Sequence, residues 1–577
     1  MKKLIILFIS LMLLLSGCSR IKVEPTLSES ESFDKFTHQL FIDTMSENYA
    51  DCHFTLKNPD AYGITFKTID FGKLIHGLDY SQYLEELKTF KRSRLSEQQQ
   101  LTYDVLSENL KHSVALDDAK YEYLWNPCDP LMSVTSNLST MLIEFPFYRE
   151  EDIDDYISLA NATGDLTDQI NDYLKAQSEK GLLMPKSVAK DYIDTIDSFV
   201  DQEADPLVRV FNNYKFPFEL SAEAKADYAV QIDEAYRQSV CPAFNSVKKT
   251  VKDLLSKSKN QKGLYYLKNG KEYYQAYVQS ILGNDMSIRD IESLMKKRLS
   301  HISGDLSSVT RKNFTTILDY EGNDIDTGLK SYKAILKYLK KQSKKDFPDI
   351  GKIDYQVTDM DLTNAKSGNS AYYLTPPIDD VSENVIRVNT TSSYVEVDSV
   401  DTFITLAHEG YPGHLYQTNY ALKQELPEIL NLFECLGYTE GYATFVQYKA
   451  YDYLPKVKDA MKDYLRLQDE YAYSLIILCD IGIHYKGWSE NDLRNYLRKY
   501  GYESVAPYWY DQLLGSPAVF VSYHVGCTLL ENYQTTMKKK LGKKYNDQLY
   551  YKTILAYGSL PFSVLKSRVE DAIKKKK

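Results

Sequence analysis

The chain has 577 residues, 43% hydrophobic and 26% charged, a balance that belongs to a globular protein and leaves room for one large domain or several. Its formal net charge of −11, with no concentrated basic stripe, argues against a nucleic-acid partner. Besides Cys18 there are six cysteines (Cys52, Cys128, Cys241, Cys435, Cys479 and Cys527). None forms a Cys-x-x-Cys pair, which argues against a thiolate zinc site. Most read as small buried apolar residues, with any disulfide pairing left open.

In chain order the N-terminus comes first. Met1-Lys2-Lys3 is positive, Leu4 to Leu15 is almost wholly apolar, and Ser16-Gly17 precede Cys18. This is the order of a secretory signal over 1–17, too short to span a bilayer, which needs ~20 residues. Leu15-Ser16-Gly17-Cys18 resembles the lipobox of bacterial lipoproteins. The resemblance implies an exported chain, acylated at Cys18 and anchored to the membrane facing outside the cytoplasm; an ordinary signal peptide with a chance cysteine is the alternative. Residues 18–32 read as a flexible tether. No later segment is long and apolar enough to cross a membrane.

From 33 to 577 the pattern predicts one large, mainly α body, with a helical first half to about 345 and a second half from about 346 carrying a small β-sheet. Ile288, Ile291, Met295 and Ile302 recur at helical spacing behind a Ser287/Asp290 capping pair. Leu329, Tyr332, Ile335, Leu336 and Leu339 do the same, and Phe347-Pro348 closes that segment. Ile353, Tyr355 and Val357 alternate with polar residues, and Val385 to Thr391 is short and β-branched, so these two runs read as strands. Tyr372-Tyr373 and Pro376-Pro377 lie between them. The βαβ alternation of a doubly wound sheet is absent, which counts against a two-lobed solute-binding protein.

The next segment carries chemistry. A helix capped by Asp398 or Ser399 runs into His408-Glu409-Gly410-Tyr411-Pro412-Gly413-His414. Zinc hydrolases need two imidazoles on one metal and a carboxylate beside it to take a proton from water. The usual spacing, H-E-x-x-H, puts both histidines one helical turn apart. Here six steps of about 100° bring His414 to ~240° from His408, so a regular helix cannot present both. Pro412 removes a helical hydrogen bond and Gly413 tolerates unusual backbone angles, so the helix is expected to break or bulge and swing His414 back beside His408. A helix that simply stops at Pro412, leaving two unrelated histidines, is the alternative. Glu440, in a helical Gly437 to Ala443 segment, is available as a third ligand.

Farther on, Asp480 and His484 stand one turn apart in an apolar helix. They read either as an acceptor supporting the site and a transition-state donor, or as a satisfied core pair. Tyr523, in Val521 to Gly526, offers a second oxyanion donor, or an aromatic packed on a helix.

Together these residues resemble a bacterial family known as domain of unknown function 885, grouped with gluzincin-type zinc metallopeptidases. His408 to His414 is similar to its His-Glu-x-Tyr-Pro-Gly-His signature, and Glu440-Gly441-Tyr442-Ala443 to its Glu-Gly-Trp-Ala segment. Asp480 to His484 with Trp488, Ser522 to Gly526, and Gly558 to Pro561 resemble further segments, and Ala371-Tyr372-Tyr373 and Asn389 fit the pattern before the metal motif. The resemblance implies a mainly helical metallopeptidase-like fold with a deep cleft. It implies one zinc per chain held by His408, His414 and Glu440, Glu409 as general base, and Tyr372, Tyr373 and Asn389 toward substrate. Tyr442 departs from the family's Trp, Gln512 stands where Arg is expected and Val519 where Gln is expected, and Tyr471 to Leu475 lacks Arg. These departures bear on substrate binding and activity, not on the metal set. The expectation is a surface-anchored zinc peptidase with His484 or Tyr523 steadying the oxyanion. The alternative is a catalytically inactive lipoprotein of the same fold that binds peptides or a protein partner. Substrate length, the end cut and the oligomeric state stay open.

Overall fold

The computed structural model describes residues 28–75, 77–201, 205–321, 325–365, 369–391 and 396–577. The signal segment, Cys18 and most of the tether lie outside the described residues. The first helix, α1 (Glu29–Met45), starts inside the stretch read as tether. Ser28 accepts from the Glu31 N–H while the Glu31 carboxylate accepts from the Ser28 N–H, a complete capping box. The buried rings of Phe33, Phe36 and Phe41 then tie the helix to the core, so polar composition at 28–32 marks a helix start.

The body is mainly helical with one small sheet. Helix α2 (Ile288–Lys312) carries the expected Ser287/Asp290 box. It buries Ile288, Ile291, Met295, Leu299 and Ile302 against the long helix α6 (Asp459–Lys486). The Lys-rich helix runs from Tyr332 to Ser343, so Leu329 precedes it. In the sheet, β1 (Gln356–Asp359) runs parallel to β3 (Val385–Val388), and β2 (Ala371–Leu374) pairs antiparallel on the other side of β3. Tyr372 and Tyr373, between the two expected strands, thus form a third strand; with only four residues, the run is too short to show alternation. β2 is an edge of the sheet, so alternate backbone groups along it face away from β3.

Two buried apolar clusters fill the molecule. The larger joins residues between Phe33 and Leu124 to residues between Leu264 and Ile573. The smaller is drawn from Tyr49, Ala50 and residues between Cys128 and Leu254. Packing therefore does not divide at about 345: early helices share one core with the second half, and the middle of the chain forms its own. Tyrosines brace both clusters, with buried hydroxyls donating to distant carbonyls, as from Tyr156 to Leu142 and Tyr438 to Ile554. The six cysteines are unbridged. No helix among the described residues is long and apolar enough to cross a membrane.

Four further helices build the site: α3 (Val400–Glu409), α4 (His414–Leu422), α5 (Leu436–Ala450) and α7 (Gly526–Leu541). A π-helical turn, Val521–Val525, leads into α7. α5 packs against α3 on one side and against α7 and the π turn on the other. That second contact is unusually close. A Cβ on Gly526 would sit 1.9 Å from the Gly437 carbonyl oxygen and 3.0 Å from the Gly441 Cα. Only glycine fits there, and the approach of the two backbones brings the π turn up to α5.

Candidate metal centre

α3 is capped by Ser399, whose Oγ accepts from the Thr402 N–H, and ends at Glu409. The chain then turns through the cis Tyr411–Pro412 peptide, and α4 begins at His414. The regular helix is thus broken, as the spacing requires. The Gly413 N–H donates to the Ala407 carbonyl at 2.9 Å, closing a turn wider than any helical one. A Cβ on Gly413 would lie 1.7 Å from the His408 carbonyl oxygen, so the turn depends on glycine. Tyr442 is fully buried and donates to the Pro412 carbonyl at 2.9 Å, tying α5 to the turn.

The result brings His408 and His414 together, with ring centroids 4.8 Å apart. Their Nε2 atoms lie 3.4 and 3.5 Å from the same oxygen, Oε2 of Glu440. The donor atoms of all three residues lie within 4.8 Å of one another. His408 Nδ1 is 2.9 Å from Gln447 Oε1; an amide oxygen can only accept, so Nδ1 carries a proton and Nε2 is the nitrogen turned toward Glu440. Gln447 was missed in the sequence. It lies two turns beyond Glu440 on the same face of α5, and that seven-residue spacing was the available signal.

Electrostatics follow the geometry. Burial alone would raise the Glu440 carboxyl, but His414 and His408 outweigh it and hold the group far below the usual carboxylate range. For His414, burial opposes the charge, yet Glu440 and Glu409 override it and lift the imidazole to about 9. Glu409, beside the trio, is raised by burial, with His408 and His414 opposing and the Tyr373 backbone N–H donating to it. That N–H belongs to the unpaired edge of β2. Tyr523 donates to Glu440, and burial together with Glu440 and Glu409 pushes its phenol upward. Its ring stacks 6.2 Å from that of His408. The structure thus places Glu409 and Tyr523 at the trio.

The cleft holding these groups has a volume of about 600 Å³. Phe54, Ile378, Leu430 and Phe433 give it apolar walls, and Tyr372 and Tyr373 line it from β2. The Tyr372 hydroxyl is directed away, donating to Glu144 at 2.6 Å, and the Tyr373 hydroxyl donates to Asn384 at 2.5 Å. Neither ring therefore offers a free hydroxyl, and β2 faces the cleft with backbone.

Three expectations are corrected. His484 does not reach the trio: its Nδ1 accepts from the Leu264 N–H at 3.2 Å and its Nε2–H donates to the Leu513 carbonyl at 2.8 Å. It is a satisfied core histidine, held neutral by burial, its pKa near 4. Asp480 accepts from the Tyr274 hydroxyl and the Ala518 N–H, so it supports core backbone and no metal-type ligand. Asn389 is buried, donates to the Ala365 and Asn369 carbonyls, accepts from Thr391, and does not line the cleft. Gln512 and Val519, two of the departures, do not line it either.

The donor set fits a zinc ion. Glu440 Oε2 is buried without a hydrogen-bond partner, two imidazole nitrogens converge on it, and three such donors leave a position for a reacting group. Fold and site define a large helical protein with a half-buried two-histidine, one-glutamate cluster lining a cleft. The family is found on the same ground: residues 78–569 match the family described as bacterial protein of unknown function (DUF885), and the chain belongs to it. No curated protein matches it. Among solved structures, one from Colwellia psychrerythraea, provisionally described as a lipoprotein, aligns with a TM-score of 0.79 at 19% identity, over 96% of this chain and 100% of that one. Another from Shewanella oneidensis, provisionally described as a lipoprotein of unknown function, aligns with a TM-score of 0.62 at 14% identity, over 94% and 99%. At these identities the likeness is one of fold.

Proposed function

We propose that the protein is a zinc-dependent peptidase of the gluzincin type. The observation that carries this reading is the convergence of His408, His414 and Glu440, with Glu409 buried beside them. Bound by these three residues, zinc would supply Lewis acidity and acidify a water molecule. Glu409 has a raised carboxyl pKa beside that position, so it suits a base that accepts the water's proton and returns it to the leaving amine. Tyr523 holds a hydroxyl proton that can turn from Glu440 toward a carbonyl oxygen gaining charge.

A peptide is favoured over other acyl substrates by β2. Its edge away from β3 lines the cleft at Ala371 and Tyr373, where the Tyr373 N–H serves Glu409, and an extended backbone can pair along such an edge. A second cavity of about 730 Å³ beyond β2 shares Phe54, Tyr373, Thr375 and Pro376 with the first, giving room for residues away from the scissile bond. Attachment through Cys18 on the outer side of the membrane completes the proposal; it rests on the lipobox-like sequence and on the two structural relatives described as lipoproteins.

The test is zinc content and peptide-library cleavage by the mature chain, compared with His408→Ala and Glu409→Gln. One zinc per chain, lost in the first variant and kept without cleavage in the second, is the expected result. Zinc with no cleavage of any library member by the unaltered protein would favour the peptide-binding alternative. No zinc even after supply would remove the metal reading.

A further inference from the structure

The cleft has a feature that water activation does not use. Its charged lining consists of Glu409, Glu434 and Glu440 with the two histidines; among the described residues lining it there is no lysine or arginine. Glu440 faces the histidines and Glu409 lies beside them. Glu434 has no such duty. It sits on the short segment entering α5 with its side chain reaching solvent; the surrounding walls raise its carboxyl, and the Thr439 hydroxyl opposes that shift. None of the described lysine, arginine or histidine side chains lies within ion-pair distance of it. Thr439 is itself held by Ser559, 3.2 Å away, so the carboxylate is presented from a fixed wall.

A second observation points to the same wall. Gln417 lies one turn after His414 on α4, is 6% exposed and lines the cleft, yet neither end of its amide has a hydrogen-bond partner. The Tyr438 hydroxyl lies beside this amide and itself donates to the Ile554 carbonyl at 2.7 Å. A buried primary amide left unpaired is costly, and a peptide group in the cleft, with one N–H and one C=O, supplies what it lacks.

Resting on the peptidase reading, we propose that Glu434 and Gln417 form a specificity subsite for a peptide carrying a cationic group beside the bond to be cut. Gln417 takes the peptide unit and Glu434 pairs with the cation. The cation is a free α-amino group or a lysine or arginine side chain. A substrate read by its C-terminal carboxylate would meet three carboxylates and no described cation, so recognition of that end is disfavoured.

The test uses one neutral hexapeptide, a version with norleucine replaced by lysine at each position in turn, and each with a free or acetylated N-terminus. Cleavage is followed on the zinc-loaded mature chain. Binding is followed calorimetrically on the Glu409→Gln protein, where no turnover is needed. The expected result is at least about tenfold preference for a cationic peptide, expressed mainly in KM and in binding, weaker at high salt. Glu434→Gln should abolish it, and Glu434→Lys should reverse it toward a glutamate-containing peptide. Loss of the preference on acetylation identifies the α-amino group; its dependence on lysine position identifies the side chain. Equal effects of Glu434→Gln on neutral and cationic peptides, or no charge preference in binding, overturn the subsite. Cleavage without charge preference defeats this inference alone, whereas charge-selective binding without cleavage defeats the peptidase reading alone.

Discussion

Gln447 Oε1 accepts a hydrogen bond from His408 Nδ1 at 2.9 Å, and this contact fixes which imidazole nitrogen faces Glu440. Replacing the amide with an apolar group frees the ring to rotate or to take the other tautomer. Gln447→Leu should therefore weaken zinc binding about 10–100-fold, with the helical circular-dichroism signal unchanged. Competition against a chromogenic chelator measures it. An unaltered affinity would show that α5 holds His408 by packing alone.

Proton linkage at the trio gives a signed prediction. In metal-free protein His414 titrates near 9, above the ordinary 6.5, because Glu440 faces it. Its contribution to stability is complete below pH 6.5 and is lost as pH rises through about 9. Glu440 is held low, so its contribution is complete above its ordinary 4.5 and is lost only as acid reaches its depressed value. The two describe one ion pair, worth of order 3 kcal/mol. Metal-free protein should lose midpoint stability in urea between pH 6.5 and 9, and His414→Ala should flatten that slope. Zinc must displace the same proton, so its apparent affinity should climb with pH over this range. An affinity independent of pH from 6.5 to 9 would contradict the pairing.

Tyr523 and His484 should separate cleanly. Tyr523→Phe removes one donor at the trio and keeps the ring stacked on His408, so zinc stays and kcat falls about 10²–10³-fold. His484→Ala instead orphans the Leu264 N–H and the Leu513 carbonyl, costing about 2–4 kcal/mol in unfolding by denaturant. Zinc content and the kcat/KM of folded His484→Ala protein should stay within a few-fold of the original. A large loss of kcat/KM in folded protein would return His484 to the chemistry.

Gly526→Ala tests the helix crossing. The added Cβ would meet the Gly437 carbonyl at 1.9 Å, so α5 and α7 must part. Overpacking of this kind costs about 1–3 kcal/mol. Zinc binding should survive, because the three donors lie on α3, α4 and α5, while peptide cleavage falls as Tyr523 moves away. Unchanged cleavage would mean that the π turn positions Tyr523 without the crossing.

Much of the site was legible because its chemistry is local. Two histidines six residues apart demand a broken helix, and Pro412-Gly413 supplies the break. What the sequence hid depends on distant partners. The apolar run around Asp480 and His484 signalled burial, but the groups that satisfy His484 include a backbone N–H 220 residues earlier. Asn389 looked like a polar residue near the site, and its role is to close its own loop through carbonyls 20 and 24 residues back. The Gly526 crossing carries no local mark at all and Gln447 only its seven-residue spacing from Glu440, since neither strains nor caps the helix it belongs to. The small sheet was half visible: β3 is β-branched, whereas β2 is too short for its alternation to register.

All three metal-type donors come from one stretch, residues 408 to 440, while the tyrosine arm arrives from Val521–Val525 through a contact between two backbones. On the proposed reading, holding an ion and steadying a reacting carbonyl therefore depend on separate parts of the chain. Loss of the glycine at the crossing would disturb the tyrosine arm and leave the three donors in place.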